Sequence, residues 1–464
     1  MLVAQVAASP LPPLEQQYIV ENQQIRPLPG QLNDVLVFNS NSPEVIQTEG
    51  ILLSTFPPNG KTFPNAHLER ALSGRFDIFT HHISRPLPGE KRTLYQGLLL
   101  HNPTSKTVLV KVLQAASYLT SPDAPFVDLP SIVEDPSGEY YSGPGSRLVG
   151  DILRGVNKSQ FPKVIAVPPQ QSRMLFSLPI NTSSARSTFV RVESDGPLYV
   201  ANLALYSIAE FPKVLPTEEE KDTLTPPSPT SFRPPKLDEW RYLLVTGRLA
   251  TPRDLPPTPL SNNMTEKPVY GRVAGISVGS EWVAQIADKP GNSQLSIPES
   301  GQAFSYPLST VNVGTYATKQ VQSAPMLVRY PDTAFRAHGN YGVHYSLTLP
   351  LVNNTDSKKS VTVALQTPFK QDQYADRLIF AKPVQGQVFF RGPVRVTYED
   401  EKGDKKVRYF HLIQRQGQQG DALVMLNMLP GDRREVNIDF LYPPDATPPQ
   451  VITVRTLDWY YGRN

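Results

Sequence analysis

Along much of this chain hydrophobic residues recur at every second position. Val108, Val110 and Val112 do so, and Val190 and Val192 repeat the pattern. A strand turns successive side chains to opposite faces, so this period predicts half-buried β-strands. Between residues 18 and 208 such segments are short and broken by Pro, Gly, Asn and Ser. "SRPLPGEK" at 84–91 and "RPLPG" at 26–30 carry a Pro-then-Gly spacing suited to tight turns. "VTYEDEKGDKKVRYFHL" reads as a hairpin with a charged turn around Gly403, and Val451, Thr453, Arg455 and Leu457 alternate in a last strand. Only one segment has a helical period: Leu237, Trp240 and Leu244, with Gly247 placed to end it. It follows "PTEEEKDTLTPPSPTSFRPP", which reads as a polar, semi-rigid linker.

One pattern occurs twice. "LLLHNPTSKTVLVKVLQ" at 98–114 and "LPLVNNTDSKKSVTVALQ" at 349–366 each join an apolar run to an alternating one through an Asn-containing turn. Asn102 is followed later by a strand that meets Pro168 and Pro169, and Asn353 by one that meets Pro430 and Gly431. A turn Asn with Thr and Ser nearby can satisfy backbone groups with side-chain oxygens, and proline then blocks further pairing. The repeat therefore predicts two related folding units; a shared chemical role is disfavoured because His101 corresponds to Val352 in the second copy.

These features predict an all-β protein: two immunoglobulin-like or related β-sandwich domains in tandem, with a Pro-rich linker and one short helix. The expected divisions are 1–17 (a signal remnant or flexible tail), 18–210, 211–262 (the linker and helix) and 263–464. A length of 464 residues is enough for two cores of this size. The 48 prolines, about twice ordinary usage, fit many turns and strand edges. A net charge of +3, with 19% charged residues, provides no electrostatic footprint for nucleic acid. The absence of cysteine excludes disulfides, thiolate nucleophiles and cysteine-based zinc sites. No apolar run is long enough for a transmembrane helix. "MLVAQVAASPLPPLEQQ" reads as the back half of a secretory signal.

Several long blocks resemble the signature segments of a cyanobacterial family of exported proteins with no assigned function. They include "RPLPGQLNDVLVFNSNSPEVIQTEGILLSTFPP", "SGRFDIFTHHI", "WRYLLVTGRLATPRDLPPTP", "YGRVAGISVGSEW" and "QSAPMLVRYPDTAFRAHGNYGVHYSLTLPLVNNT". The resemblance runs from about Arg26 to Leu457. It implies a cyanobacterial source and export to the periplasm, outer envelope or extracellular space, and it lends no catalytic residue.

Candidate chemistry is sparse. His81 and His82 are neighbours on a predicted strand, so they point to opposite faces and cannot jointly hold one ion. Asp400, Glu401 and Asp404 lack the spacing of a calcium loop. "RAHGNYGVHY" is the better candidate ligand site, because it gathers His338, Asn340, Tyr341, His344 and Tyr345 around two glycines. A turn at 339–342 would let His338 and His344 face each other; an extended chain would hold them about 20 Å apart. Tyr140 and Tyr141, in "EYYSGPGSRL", sit beside glycine in a predicted loop, as do the tyrosines of "LDWYYGRN". Paired tyrosines serve as sugar platforms or as packing surfaces. No nucleophile elbow, metalloprotease helix or phosphate loop is present, so the expectation is a non-enzyme with no cofactor and no metal. The expected role is structural or adhesive, in the envelope or outside the cell. The alternative is a carbohydrate-binding protein, and the expected partner is envelope or sheath polysaccharide or a second copy of the chain.

Overall fold

Ala185–Tyr206 is the longest strand, and a bend in it organises the first of two layered regions. Residues 185–194 lie antiparallel between Leu72–Ser84 and Val108–Leu119. Residues 199–206 lie between Leu94–His101 and Gly50–Ser54. Pairing with Leu72–Ser84 jumps from Ser194 to Leu198. The intervening Asp195, Gly196 and Pro197 explain the jump, since proline has no N–H for the ladder and glycine tolerates a sharp bend. One strand thus serves two layers, and Phe76, Ile78, Leu98, Leu100, Val110, Val190, Val192 and Val200 form the core between them. The alternating valines point inward as expected: Val108, Val110, Val190 and Val192 are buried.

The computed structural model describes residues 16–158, 160–211, 229–259, 268–384 and 386–458. Most of the expected signal remnant, much of the proline-rich linker and the tyrosines that close the chain lie outside the described residues. The described structure is predominantly β, with several sheets and two α-helices, Pro144–Leu153 (α1) and Leu237–Thr246 (α2). None of its helices is long and apolar enough to cross a membrane.

In the second region a larger sheet runs Ile132–Glu134, Lys405–Arg415, Val388–Glu399, Arg433–Leu441, His344–Val352, Glu281–Gln285, Gln31–Leu32. It faces a five-stranded sheet in the order Gln24–Ile25, Ala303–Leu308, Gln450–Asp458, Lys359–Gln366, Ala422–Met428. Leu347, Leu349, Val363, Phe390, Val396, Ile438 and Ile452 fill the space between. The expected hairpin is present, with Glu399 opposite Lys405. Its tip is closed by Asp400, whose carboxylate accepts from the backbone of Lys402 and Asp404, both at 2.9 Å.

Sheet membership crosses the divisions expected from the sequence. Leu36–Ser40 pairs with Ala274–Val278, and Ala324–Arg329 continues the first sheet beyond it. In exchange, Gln31–Leu32 and Ile132–Glu134 form the two ends of the second region's larger sheet. Segments this short have little periodic signal of their own; backbone pairing with a distant strand decides where they lie.

Helix α2 matches its sequence signal. Trp240 is fully buried with Ile51, Leu99, Ala201 and Leu203. Gly97 is what makes room, since a Cβ there would stand 2.7 Å from the indole. Helix α1 is a correction: its segment reads as a loop in sequence because of "SGPGS". Pro144 occupies the first turn, where its missing N–H costs nothing. Leu148, Val149, Ile152 and Leu153 then pack with Phe79 and Phe189 of one region and Leu441 of the other, so α1 is a wedge between them.

The twin asparagines match atom for atom. Asn102 donates through Nδ2 to the carbonyls of Lys106 (2.6 Å) and Val167 (2.9 Å). Its Oδ1 accepts from Thr104 N (2.9 Å) and Oγ1 (2.8 Å). Asn353 donates to Ser357 (2.9 Å) and Met428 (3.1 Å) and accepts from Thr355 N (3.0 Å) and Oγ1 (2.7 Å). Both are fully buried, and each closes its own turn while holding the strand that ends at the later proline turn. Replacing either Asn by Ala strands one buried carbonyl, that of Val167 or Met428, and loosens the turn, and should cost about 1–3 kcal/mol of stability. Urea unfolding checks this; a loss below about 0.5 kcal/mol at both sites would remove the twin asparagines from the folding argument.

Candidate functional site

Asp77 sits on Leu72–Ser84 with its side chain almost wholly out of water. Burial pushes its carboxyl up from the usual value, while Arg75 and Arg191 pull it back down. Arg75 pairs with it directly, and Arg191 Nε lies 3.8 Å from it. Arg191 also reaches Glu281 (3.6 Å), which belongs to the second region's larger sheet. From there the chain of charges continues: Glu281 to His344 Nδ1 (3.8 Å), His344 Nε2 to Asp439 (3.4 Å), Asp439 to Arg395 (3.1 Å). Signs alternate along this chain, so every charge between its two ends has opposite neighbours on both sides.

Beside this seam is a cleft of about 180 Å³. Its walls come from both regions: Asn39, Asn41 and 270–273 from the first sheet's margin, 337–341 from the loop before His344–Val352, and Lys370 and 446–448 from second-region connections. The rings of Tyr270 and His338 lie 4.3 Å apart at 42°. Burial lowers the His338 pKa to about 4, so the ring is neutral near pH 7. Burial also lowers the Lys370 ammonium to about 8. Arg272 is already committed to Glu44.

The residues of "RAHGNYGVHY" separate into distinct surroundings. His338, Asn340 and Tyr341 line the cleft, whereas His344 belongs to the charge chain. His338 and His344 therefore do not share one site, which corrects the turn-facing expectation. Asn340 adopts φ +48, a conformation that asparagine tolerates. Its amide is used within the fold: Oδ1 accepts from Ala324 N (3.0 Å), and Nδ2 donates to Gln322 O (3.0 Å) and the Tyr345 hydroxyl (3.2 Å). Tyr345 is fully buried and stacks on Phe440 at 5.3 Å. The Tyr341 hydroxyl donates to Ala446 O at 3.2 Å. Tyr140 is exposed, and Tyr141 lies under the Arg147 guanidinium at 4.6 Å; neither lines the cleft. Asn39, Asn41, Tyr270 and Lys370 had no sequence signal, because strands remote in the chain bring them together.

The adjacent histidines behave as strand geometry requires. His82 places Nδ1 2.8 Å from the Pro43 carbonyl, which can only accept, so Nδ1 carries the proton. Its Nε2 then accepts from Asn202 Nδ2 (3.2 Å) and faces Ser40 Oγ (3.1 Å). His81 turns the other way, to Ser187 Oγ at 2.8 Å. Of the seven histidines in the chain, His67, His81, His82, His101, His338 and His411 are pushed down by burial. His344 alone is raised: burial opposes its charge, but Asp439 and Glu281 outweigh burial.

Fold and cleft together define a predominantly β protein with a chain of ion pairs along a seam between sheets. Over residues 23–456 the chain matches the model of a family described as "Protein of unknown function (DUF3370)", and it belongs to that family. No curated protein matches it. Solved structures with some likeness include Lac15 from a marine microbial metagenome, 9% identical over 93% of this chain and 67% of that one, with a TM-score of 0.11. Fet3p, a multicopper oxidase that functions in iron import, is 8% identical over 89% of this chain and 61% of its own, with a TM-score of 0.12. Procruciferin, the 11S globulin from Brassica napus, is 9% identical over 93% and 85%, with a TM-score of 0.09. At these TM-scores the likenesses carry neither a fold nor a function across.

The histidines dictate a pH dependence. A raised folded-state pKa stabilises fully below the ordinary 6.5, and that contribution is lost as pH rises through the raised value. The lowered histidines act oppositely, costing stability as pH falls from 6.5 towards about 4. The urea-midpoint gap between wild type and His344→Gln should therefore be widest near about pH 6 and shrink by about pH 9. A gap that stays constant across that range would mean that His344 carries no charge in the seam.

Proposed function

We propose that this protein is a non-catalytic structural or adhesive component of the cell envelope or extracellular space. The observation that carries this reading is the charge chain from Arg75 through Asp77, Arg191, Glu281, His344 and Asp439 to Arg395. It commits the buried Asp77 and Asp439 carboxylates and the partly buried groups between them to holding two sheets against each other, which suits a part that bears load. The exchange of strands between regions supports the same reading, because pulling them apart would break backbone ladders as well as side-chain contacts. The twin asparagine turns support two related sandwich units of immunoglobulin-like kind, at residues 18–210 and 263–464, that trade edge strands. Export from a cyanobacterial cell is part of the proposal. It rests on the apolar amino-terminal segment and on the sequence blocks that resemble exported cyanobacterial proteins.

A second reading, a carbohydrate-binding protein acting on cell-wall or sheath polysaccharide, is favoured by the cleft with its Tyr270 and His338 rings and amide-bearing rim. Cell fractionation with amino-terminal mass spectrometry tests the main reading. The expected result is a chain in the envelope or medium, processed before residue 17, that self-associates or co-sediments with envelope material. A cytosolic monomer with Met1 retained would overturn it.

A further inference from the structure

Four polar side chains that line the cleft, Asn39, Asn41, His338 and Lys370, share a property that buried polar groups rarely have. Among the described residues none of the four has a side-chain hydrogen-bond or ion-pair partner, although Asn39 and Asn41 belong to the buried set. Buried amides and ammoniums are ordinarily paired, and leaving them open costs stability. Asn340, Tyr341 and Arg272, which line the same cleft, all have partners. The unpaired groups surround one opening and offer a donor and acceptor pair on each amide, a neutral imidazole and a cation.

Size and charge narrow what could enter. A cavity of about 150 Å³ accommodates one benzene ring, and this cleft measures about 180 Å³. That is room for one six-membered ring. The Tyr270 and His338 rings supply an apolar wall for the ring face, and the amides match hydroxyl groups. Lys370 Nζ has an aromatic neighbour, Phe389 at 5.6 Å, and no carboxylate partner among the described residues. We propose that the cleft binds a single carboxylated sugar ring, a hexuronic acid unit, with its carboxylate on Lys370 and its hydroxyls on Asn39, Asn41 and His338. The inference rests on the carbohydrate-binding reading and specifies its ligand class.

Isothermal titration calorimetry of the full chain tests it, using glucuronic acid, galacturonic acid, glucose and acetate. At least one uronic acid should saturate and should bind about 10-fold or more tightly than glucose or acetate, the gain expected of a charge-assisted bond. Lys370→Gln should bring the uronic acid down to the glucose level, and His338→Ala should weaken both sugars. Binding should also fall as pH rises past about 8, where Lys370 loses its charge. Glucose binding as tightly as the uronic acids would overturn the carboxylate assignment while leaving the carbohydrate reading intact. Acetate equal to the uronic acids would reduce the cleft to a small-anion site. No binding by any of these, nor by sheath polysaccharide, would overturn the inference and the carbohydrate reading together.

Discussion

A carboxylate withdrawn from water in the middle of a sheet has to be compensated, and Asp77 sets that requirement for this fold. Arg75, two residues away on the same strand, compensates it from one side. Arg191, from the neighbouring strand, compensates it from the other and is itself a half-buried cation that takes a second partner. The partner, Glu281, lies in the other region's larger sheet, and the need propagates through His344 and Asp439 until it reaches Arg395. Removing a partner of the buried Asp77 or Asp439 would leave that carboxylate desolvated and under-compensated, which is the costly way to lose a buried ion pair. Placement of the two sheets is therefore coupled to electrostatics as well as to apolar packing by α1.

The two cores use a common local device. Each twin asparagine supplies both donors and an acceptor inside a turn where backbone groups would otherwise be orphaned. Around that device the regions diverge. The first is organised by a bent strand shared between layers, and the second by two sheets facing each other over a separate core. The cleft forms where the margins of both meet, which is why its walls come from six separate stretches of chain.

Histidine illustrates how environment decides chemistry. Six of these residues are held neutral by burial and act as hydrogen-bonding or packing groups, while His344 lies between two carboxylates that favour its charge. Three residues of one sequence motif show the same divergence. His338 faces the cleft, Asn340 ties down the backbone and Tyr345 fills a core.

Local order was legible in the sequence. Alternation identified the strands around Val110 and Val190, helical spacing identified α2 around Trp240, and the repeated Asn turn was recognisable as architecture. Each of these depends on interactions within a few residues or on a face set by backbone period. Helix α1 escaped because Gly-Pro-Gly is read as a breaker, whereas apolar surfaces on both sides hold that helix in place. Part of the candidate site was legible too: "RAHGNYGVHY" contributes His338, Asn340 and Tyr341 to the cleft. The sequence could not show that Asn39, Lys370 and Ala446 join them, that Asp77 reaches Arg395 through four intermediates, or that short strands change sheets. Those outcomes depend on pairing between segments hundreds of residues apart. Such pairing is decided by register, burial and charge compensation in the folded state, for which a linear pattern holds no marker.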